Sequence, residues 1–112
     1  MPLRTQSLRP VLNRLAPDAD ATDAEALRRF ARHRDGDAFA LLVRRYGPLV
    51  NGVCRRVLGP RPEADDAVQA TFWTLARKAA AIRDANTLPA WLHAVAYRTA
   101  RKAAAPIGRA HV

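Results

Sequence analysis

Cysteine occurs once in the 112 residues, at Cys54, so no disulfide can close within the chain and no multi-cysteine metal site can form. A reducing cytoplasm suits such a sequence. The histidines, His33, His93 and His111, are scattered without HxxxH spacing, CxxC is absent, and there is no glycine-rich phosphate loop. With nothing on which to build a catalytic centre, the expectation is a non-enzyme that needs no cofactor and no metal. No apolar run of about 18 residues occurs, and residues 1–21 lack the apolar stretch of a secretory signal. We therefore expect a cytoplasmic chain with no membrane insertion. Acidic residues also stop early, none following Asp84.

Aromatic residues are only 6% of the chain although 49% is hydrophobic, the difference being filled largely by alanine. Alanine has the highest intrinsic helix propensity, so an all-α fold is expected, and the length suits one domain with a modest core. Nineteen Lys and Arg against ten Asp and Glu leave a formal charge of +9, which favours a polyanionic partner, nucleic acid or an anionic surface. Lysine appears only at Lys78 and Lys102. So strong a bias to arginine fits either bidentate phosphate contacts or a GC-rich genome.

Residues 1–21, with Pro2, Pro10 and Pro17 and the scattered Arg4, Arg9 and Arg14, read as a flexible basic tail. Thr22 and Glu25 then form a capping-box pattern, which predicts a helix to about His33 that buries Leu27, Phe30 and Ala31 and turns Arg28, Arg29, Arg32 and Arg34 to water. Asp35, Gly36 and Asp37 interrupt it and cap a second helix, whose stripe is Phe39, Leu42, Val43 and Tyr46. Gly47 and Pro48 predict a kink or restart, with Leu49, Val50, Val53 and Val57 buried beyond it. Gly59, Pro60 and Pro62 stop the helix. Cys54, among those valines, reads as a buried structural thiol.

A third helix is expected from about Glu63 to Ile82, with acids at its start, bases at its end and an inward face of Val68, Phe72, Leu75, Ala79 and Ile82. Asp66, Gln69, Trp73 and Arg77 share another face. After a polar loop, Thr87 is the expected cap of a fourth helix burying Leu88, Trp91, Leu92, Val95 and Thr99. His93, Tyr97 and Arg101 lie one turn apart on its other side, flanked by Arg98 and Lys102. The whole is a compact bundle of about four helices over residues 22–105, followed by a C-terminal tail at 106–112.

Three stretches, AFALLVRRYGPLVNGVCRRVLG (38–59), EADDAVQATFWTLARKAAAI (63–82) and LPAWLHAVAYRTARK (88–102), together resemble region 2 of the sigma-70 family, particularly its extracytoplasmic-function (ECF) branch. They occur in that family's order and spacing, and the likeness covers roughly residues 23–103. It implies a transcription-initiation module that docks on the β′ clamp helices of core RNA polymerase and binds the minus-ten promoter element as single-stranded DNA. The resemblance assigns docking to Asp65, Asp66 and Gln69, with Trp73 and Arg77 adding to the contact. It makes Arg83–Pro89, with Arg83, Asn86 and Thr87, the loop that captures a flipped base, and the fourth helix, with His93, Tyr97, Arg98, Arg101 and Lys102, the face toward the melted strand. An anti-sigma factor is a further implied partner. Two departures stand out: Ala70 occupies a position where the family often has an acid, and no region 4 helix-turn-helix follows within the chain.

The residues also admit plainer readings. Acids at a helix start are stabilised by about 0.3–1 kcal/mol without any partner. A basic helix face can simply be solvated, with Tyr97 lying at the rim of the core. Trp91, spaced with Leu88, Leu92 and Val95, reads mainly as core. Trp73 is harder to explain so, since a large exposed aromatic is favoured as an interface anchor. Two other functions therefore remain open: a truncated sigma-like protein that titrates polymerase or an anti-sigma factor, and a generic basic helical nucleic-acid binder.

Overall fold

The computed structural model describes residues 21–105. The expected tails at 1–21 and 106–112 lie outside these residues, apart from Ala21. Four helices form the described fold: α1 (Asp23–His33), α2 (Gly36–Leu58), α3 (Pro62–Lys78) and α4 (Leu88–Ala104). The short 3₁₀ turns Ala79–Ala81 and Ala85–Thr87 link the last two. The all-α architecture is as the composition predicts. α2 packs against each of the other three helices, α3 packs against α4, and α1 closes over the 3₁₀ turn at Ala79–Ala81.

Local chemistry sets most boundaries. The Thr22 hydroxyl accepts from the Glu25 N–H at 3.1 Å and the Glu25 carboxylate accepts from the Thr22 N–H at 2.8 Å, a complete capping box that holds the Glu25 pKa below its ordinary value. Asp35 caps α2, accepting from the Asp37 and Ala38 N–H groups. Gly59 ends α2 at φ 70°, a conformation that disfavours any side chain, and the Arg61 guanidinium donates to the Leu58 carbonyl at 2.7 Å. Pro62 then opens α3 at its first turn, where no N–H is needed.

Several expectations are corrected. α2 runs unbroken through Pro48, with neither restart nor second cap. Pro48 and Arg44 are both exposed, so the hydrogen bond that proline forfeits lies on the side that water can reach. The third helix ends at Lys78, and its last turn tightens into 3₁₀ geometry, Ile82 N–H donating to Ala79 O at 3.2 Å. Thr87 does not cap α4: its hydroxyl donates to the Asp84 carbonyl at 2.6 Å, while the Asp84 side chain accepts from the Asn86 N–H. Arg34 does not simply face water. It takes the left-handed conformation at φ 52°, places its guanidinium 4.1 Å over the Phe30 ring, and donates to the Ala76 carbonyl at 2.9 Å. A non-glycine residue there costs about 1–2 kcal/mol, which the ring contact and the satisfied carbonyl offset.

Leu42, Leu75, Leu88, Leu92 and Val50 are fully buried. Around them alanines, Ala26, Ala38, Ala64, Ala67, Ala96 and Ala100, fill the helix contacts. Residues expected inside, Ala31, Leu49, Val57, Val68, Ile82, Trp91 and Thr99, are only half-buried. The inward face of α4 is rotated toward Ala96 and Ala100, and that of α3 toward Ala64, Ala67 and Thr71. Cys54 is fully buried beside Thr71, as a structural thiol should be, and burial pushes its pKa up. The Thr71 hydroxyl donates to the Ala67 carbonyl at 2.7 Å, so this buried polar group is satisfied.

Asp23 ties α1 to α2. It accepts from the Arg45 guanidinium at 2.9 Å and from the Tyr46 hydroxyl. Partial burial, then the bond to a carboxylate, raise the Tyr46 pKa from 10.0 to about 12. The protonated phenol is the form the fold favours. Its contribution is therefore full below pH 10 and lost as pH rises through 12. Tyr46→Phe should destabilise the fold by about 1–2 kcal/mol at neutral pH. In urea titrations the gap between wild type and variant should close between pH 10 and 12. A gap constant with pH would contradict the assigned hydrogen bond.

Candidate functional site

Two faces of the bundle carry the residues singled out in the sequence. On α3, Asp65, Asp66, Gln69, Trp73 and Arg77 are all exposed. Asp66, Gln69, Ala70 and Trp73 come together around a shallow hollow of about 380 Å³. Asp65 is drawn aside, its carboxylate accepting from the Arg55 guanidinium of α2 at 2.8 Å. Both partners are well exposed, so the pair contributes little stability and remains easy to open. Arg77 does not line the hollow.

Trp73 is 67% exposed, on a helix whose opposite face is fully buried at Leu75. With Gln69 it also borders a larger groove of about 540 Å³, walled by Phe30, Phe39, Val43, Val68 and Phe72. The Phe30 and Phe39 rings pack at 4.6 Å between centroids and form one end of that wall. Sequence reasoning missed this groove because its walls were assigned wholly to the core. No local signal marks it, since Phe30, Phe39, Val43, Val68 and Phe72 have the spacing of core residues.

On α4, His93, Tyr97, Arg98, Arg101 and Lys102 are exposed, as the spacing predicts. Tyr97 is 47% exposed, and the Arg101 guanidinium lies 5.9 Å from its ring centre. This is a loose cation–π pair one helical turn long, a flat ring and a fixed cation side by side. Such a pair offers a stacking surface for a base and a contact for its phosphate.

The loop before α4 divides its residues. Arg83, Asn86 and Thr87 are exposed. Asn86 lines a hollow of about 270 Å³ with Thr22, Asp23, Ala24, Ala85 and Pro89. Arg83 instead borders a different hollow, with Arg28 and Arg32 of α1. The Thr87 proton is committed to Asp84. The structure therefore does not gather all three into one site.

A family model for sigma-70 region 2 matches residues 42–105, from the first third of α2 through the end of α4. The chain belongs to the sigma-70 region 2 family. No curated protein and no solved structure matches it. Region 2 is a transcription-regulatory module rather than a known enzyme family. Both faces described above, except for the Phe30 and Phe39 wall and the Thr22–Ala24 lining, fall within the matched segment, whereas α1 lies outside it. Among the described residues no helix is long and apolar enough to cross a membrane.

The two tryptophans report on these exposures separately, since Trp91 is half-buried against the core. In a Trp91→Phe variant the remaining Trp73 should emit at longer wavelength and be strongly quenched by acrylamide. Trp73→Phe should leave a shorter-wavelength, weakly quenched emission. The reverse order would show that α3 is turned the other way.

Proposed function

We propose that this chain is an initiation module of the ECF branch of sigma factors, docking on core RNA polymerase through α3 and holding the minus-ten element as single-stranded DNA across α4. The observation that carries this reading is the placement of two exposed large aromatics, Trp73 and Tyr97, on different faces of one bundle. Each sits among groups suited to a different partner. Trp73 stands with Asp66 and Gln69 beside an apolar groove, a surface suited to a protein helix. Tyr97 stands with His93, Arg98, Arg101 and Lys102, a surface suited to a polyanion bearing flat rings.

On the docking face Asp66, Gln69 and Trp73 form the contact, while Asp65 joins by exchanging Arg55 for a polymerase cation. The α4 face uses Tyr97 and Arg101 for the strand and Arg98 and Lys102 for its phosphates. Asn86, in its hollow at the start of α4, is placed to receive an unstacked base. These functions suit a cytoplasmic protein, and an anti-sigma factor would compete for the α3 face.

A second reading is favoured by the groove beside Trp73, whose size exceeds what a single anchoring side chain needs. In it the chain occupies polymerase or an anti-sigma factor without starting transcription itself. The two readings part in a transcription assay, in which the chain alone either initiates or only inhibits.

Core polymerase should retain the wild-type chain in a pull-down, and Trp73→Ala with Gln69→Ala should weaken retention at least tenfold, a loss of about 1.4 kcal/mol or more. Tyr97→Ala with Arg101→Ala should weaken binding to a single-stranded oligonucleotide by about 5- to 150-fold, from stacking worth about 1–3 kcal/mol per base. The first variant should keep strand binding and the second should keep polymerase. A folded wild-type chain that binds neither partner would sink the proposal.

A further inference from the structure

A third surface belongs to neither face. Between α1 and the turn Ala79–Ala81 lies a hollow of about 340 Å³. Leu27 and Ala79 are buried at its floor, Ala31 and Ile82 half-buried beside them, and the exposed Arg28, Arg32 and Arg83 form the rim. Arg28 and Arg32 are one turn apart on α1, and Arg83 comes from the segment after the 3₁₀ turn, so three arginines from two parts of the chain line one hollow with an apolar floor.

No carboxylate lines it. Among the described residues Arg32 and Arg83 make no ion pair or hydrogen bond, and Arg28 interacts with the Glu25 carboxylate only through space. Three like charges around one hollow repel each other, and an anion seated between them would relieve that repulsion. A simple inorganic anion would leave the apolar floor in contact with water. A ligand that satisfies both parts carries a phosphate and a flat, weakly polar ring, which describes a nucleotide. The volume lies within the range of small-molecule sites.

The neighbouring hollow at Asn86 shares Ala24 and Ala85 with this one, so the two are continuous along the surface. We propose that the Arg28, Arg32 and Arg83 hollow is a nucleotide subsite, the guanidiniums holding a phosphate and a base lying on Leu27, Ala31 and Ile82. This rests on the strand-holding role of α4 and its preceding loop, and it makes α1, outside the matched segment, part of the nucleic-acid surface. The nucleotide held here is the neighbour of the one received at Asn86.

The test uses the full chain, a single-stranded oligonucleotide and AMP. Each phosphate contact to a single strand adds about 0.7 to the slope of log affinity against log salt, so Arg28→Gln with Arg32→Gln, which removes the one phosphate held between them, should lower that slope by about 0.7. The charge-matched control is Arg44→Gln with Arg56→Gln, both exposed on α2 and outside the hollow, and it should lower the slope much less. Equal effects of the two pairs, or no effect of the first while Tyr97→Ala still weakens binding, would overturn the subsite and leave the strand-holding reading standing. If the wild-type chain binds no oligonucleotide, the strand-holding reading fails first. AMP binding lost in the Arg28/Arg32 variant would then keep the subsite as a site for free nucleotides, and no AMP binding would end it as well.

Discussion

The fold depends on close approach between helices that have little bulk to offer each other. With few aromatics available, the contacts are made by alanines, and Ala26, Ala38, Ala64, Ala96 and Ala100 are wholly buried. A methyl group at a crossing lets two backbones come near, so that leucines and valines further along each helix can interlock. The same geometry leaves no room for growth, since any larger side chain at these crossings must push helices apart. α2 bears the greatest share because it packs closely against each of the other three helices. A core this lean has no need of Trp73 or Tyr97, and both remain at the surface.

Around that core a few polar contacts fix the position of α1. Asp23 binds Arg45 and Tyr46 at one end of the helix, and Arg34 binds the Ala76 carbonyl at the other. α1 is thus held to α2 at its start and to α3 at its end. Its placement creates both the apolar groove beside Trp73, through Phe30, and the arginine-rimmed hollow, through Arg28 and Arg32. Side chains usually counted as surface decoration here decide where the cavities lie.

The sequence made the helices legible where caps and breakers act locally. Thr22 with Glu25, Asp35, and Gly59 with Pro62 each work within a few residues and appear as expected. The exposed stripes on α3 and α4 were legible for the same reason, being simple consequences of helical period. What could not be read depends on partners distant in the chain. Alanine gives no periodic contrast in an alanine-rich helix, so the rotation of α4 toward Ala96 and Ala100 left no mark in the pattern. Nor does any local signal say that Arg34 will meet Ala76 or that Arg83 will face α1 rather than Asn86. That α2 continues through Pro48 rather than restarting there was equally illegible, because the cost of a proline depends on which side of the helix faces water, a property of the tertiary fold.

The disappearance of acids after Asp84 has a kinetic meaning once α3 and α4 are set in place. The first turns of α3 carry Glu63, Asp65 and Asp66, while α4 exposes only cations among its ionised groups. The acids of α3 have a cation close by, Asp65 pairing with Arg55 of α2, whereas α4 carries no acid of its own. A polyanion meeting that helix finds a field that its own residues do not cancel, so encounter through α4 is favoured most at low ionic strength.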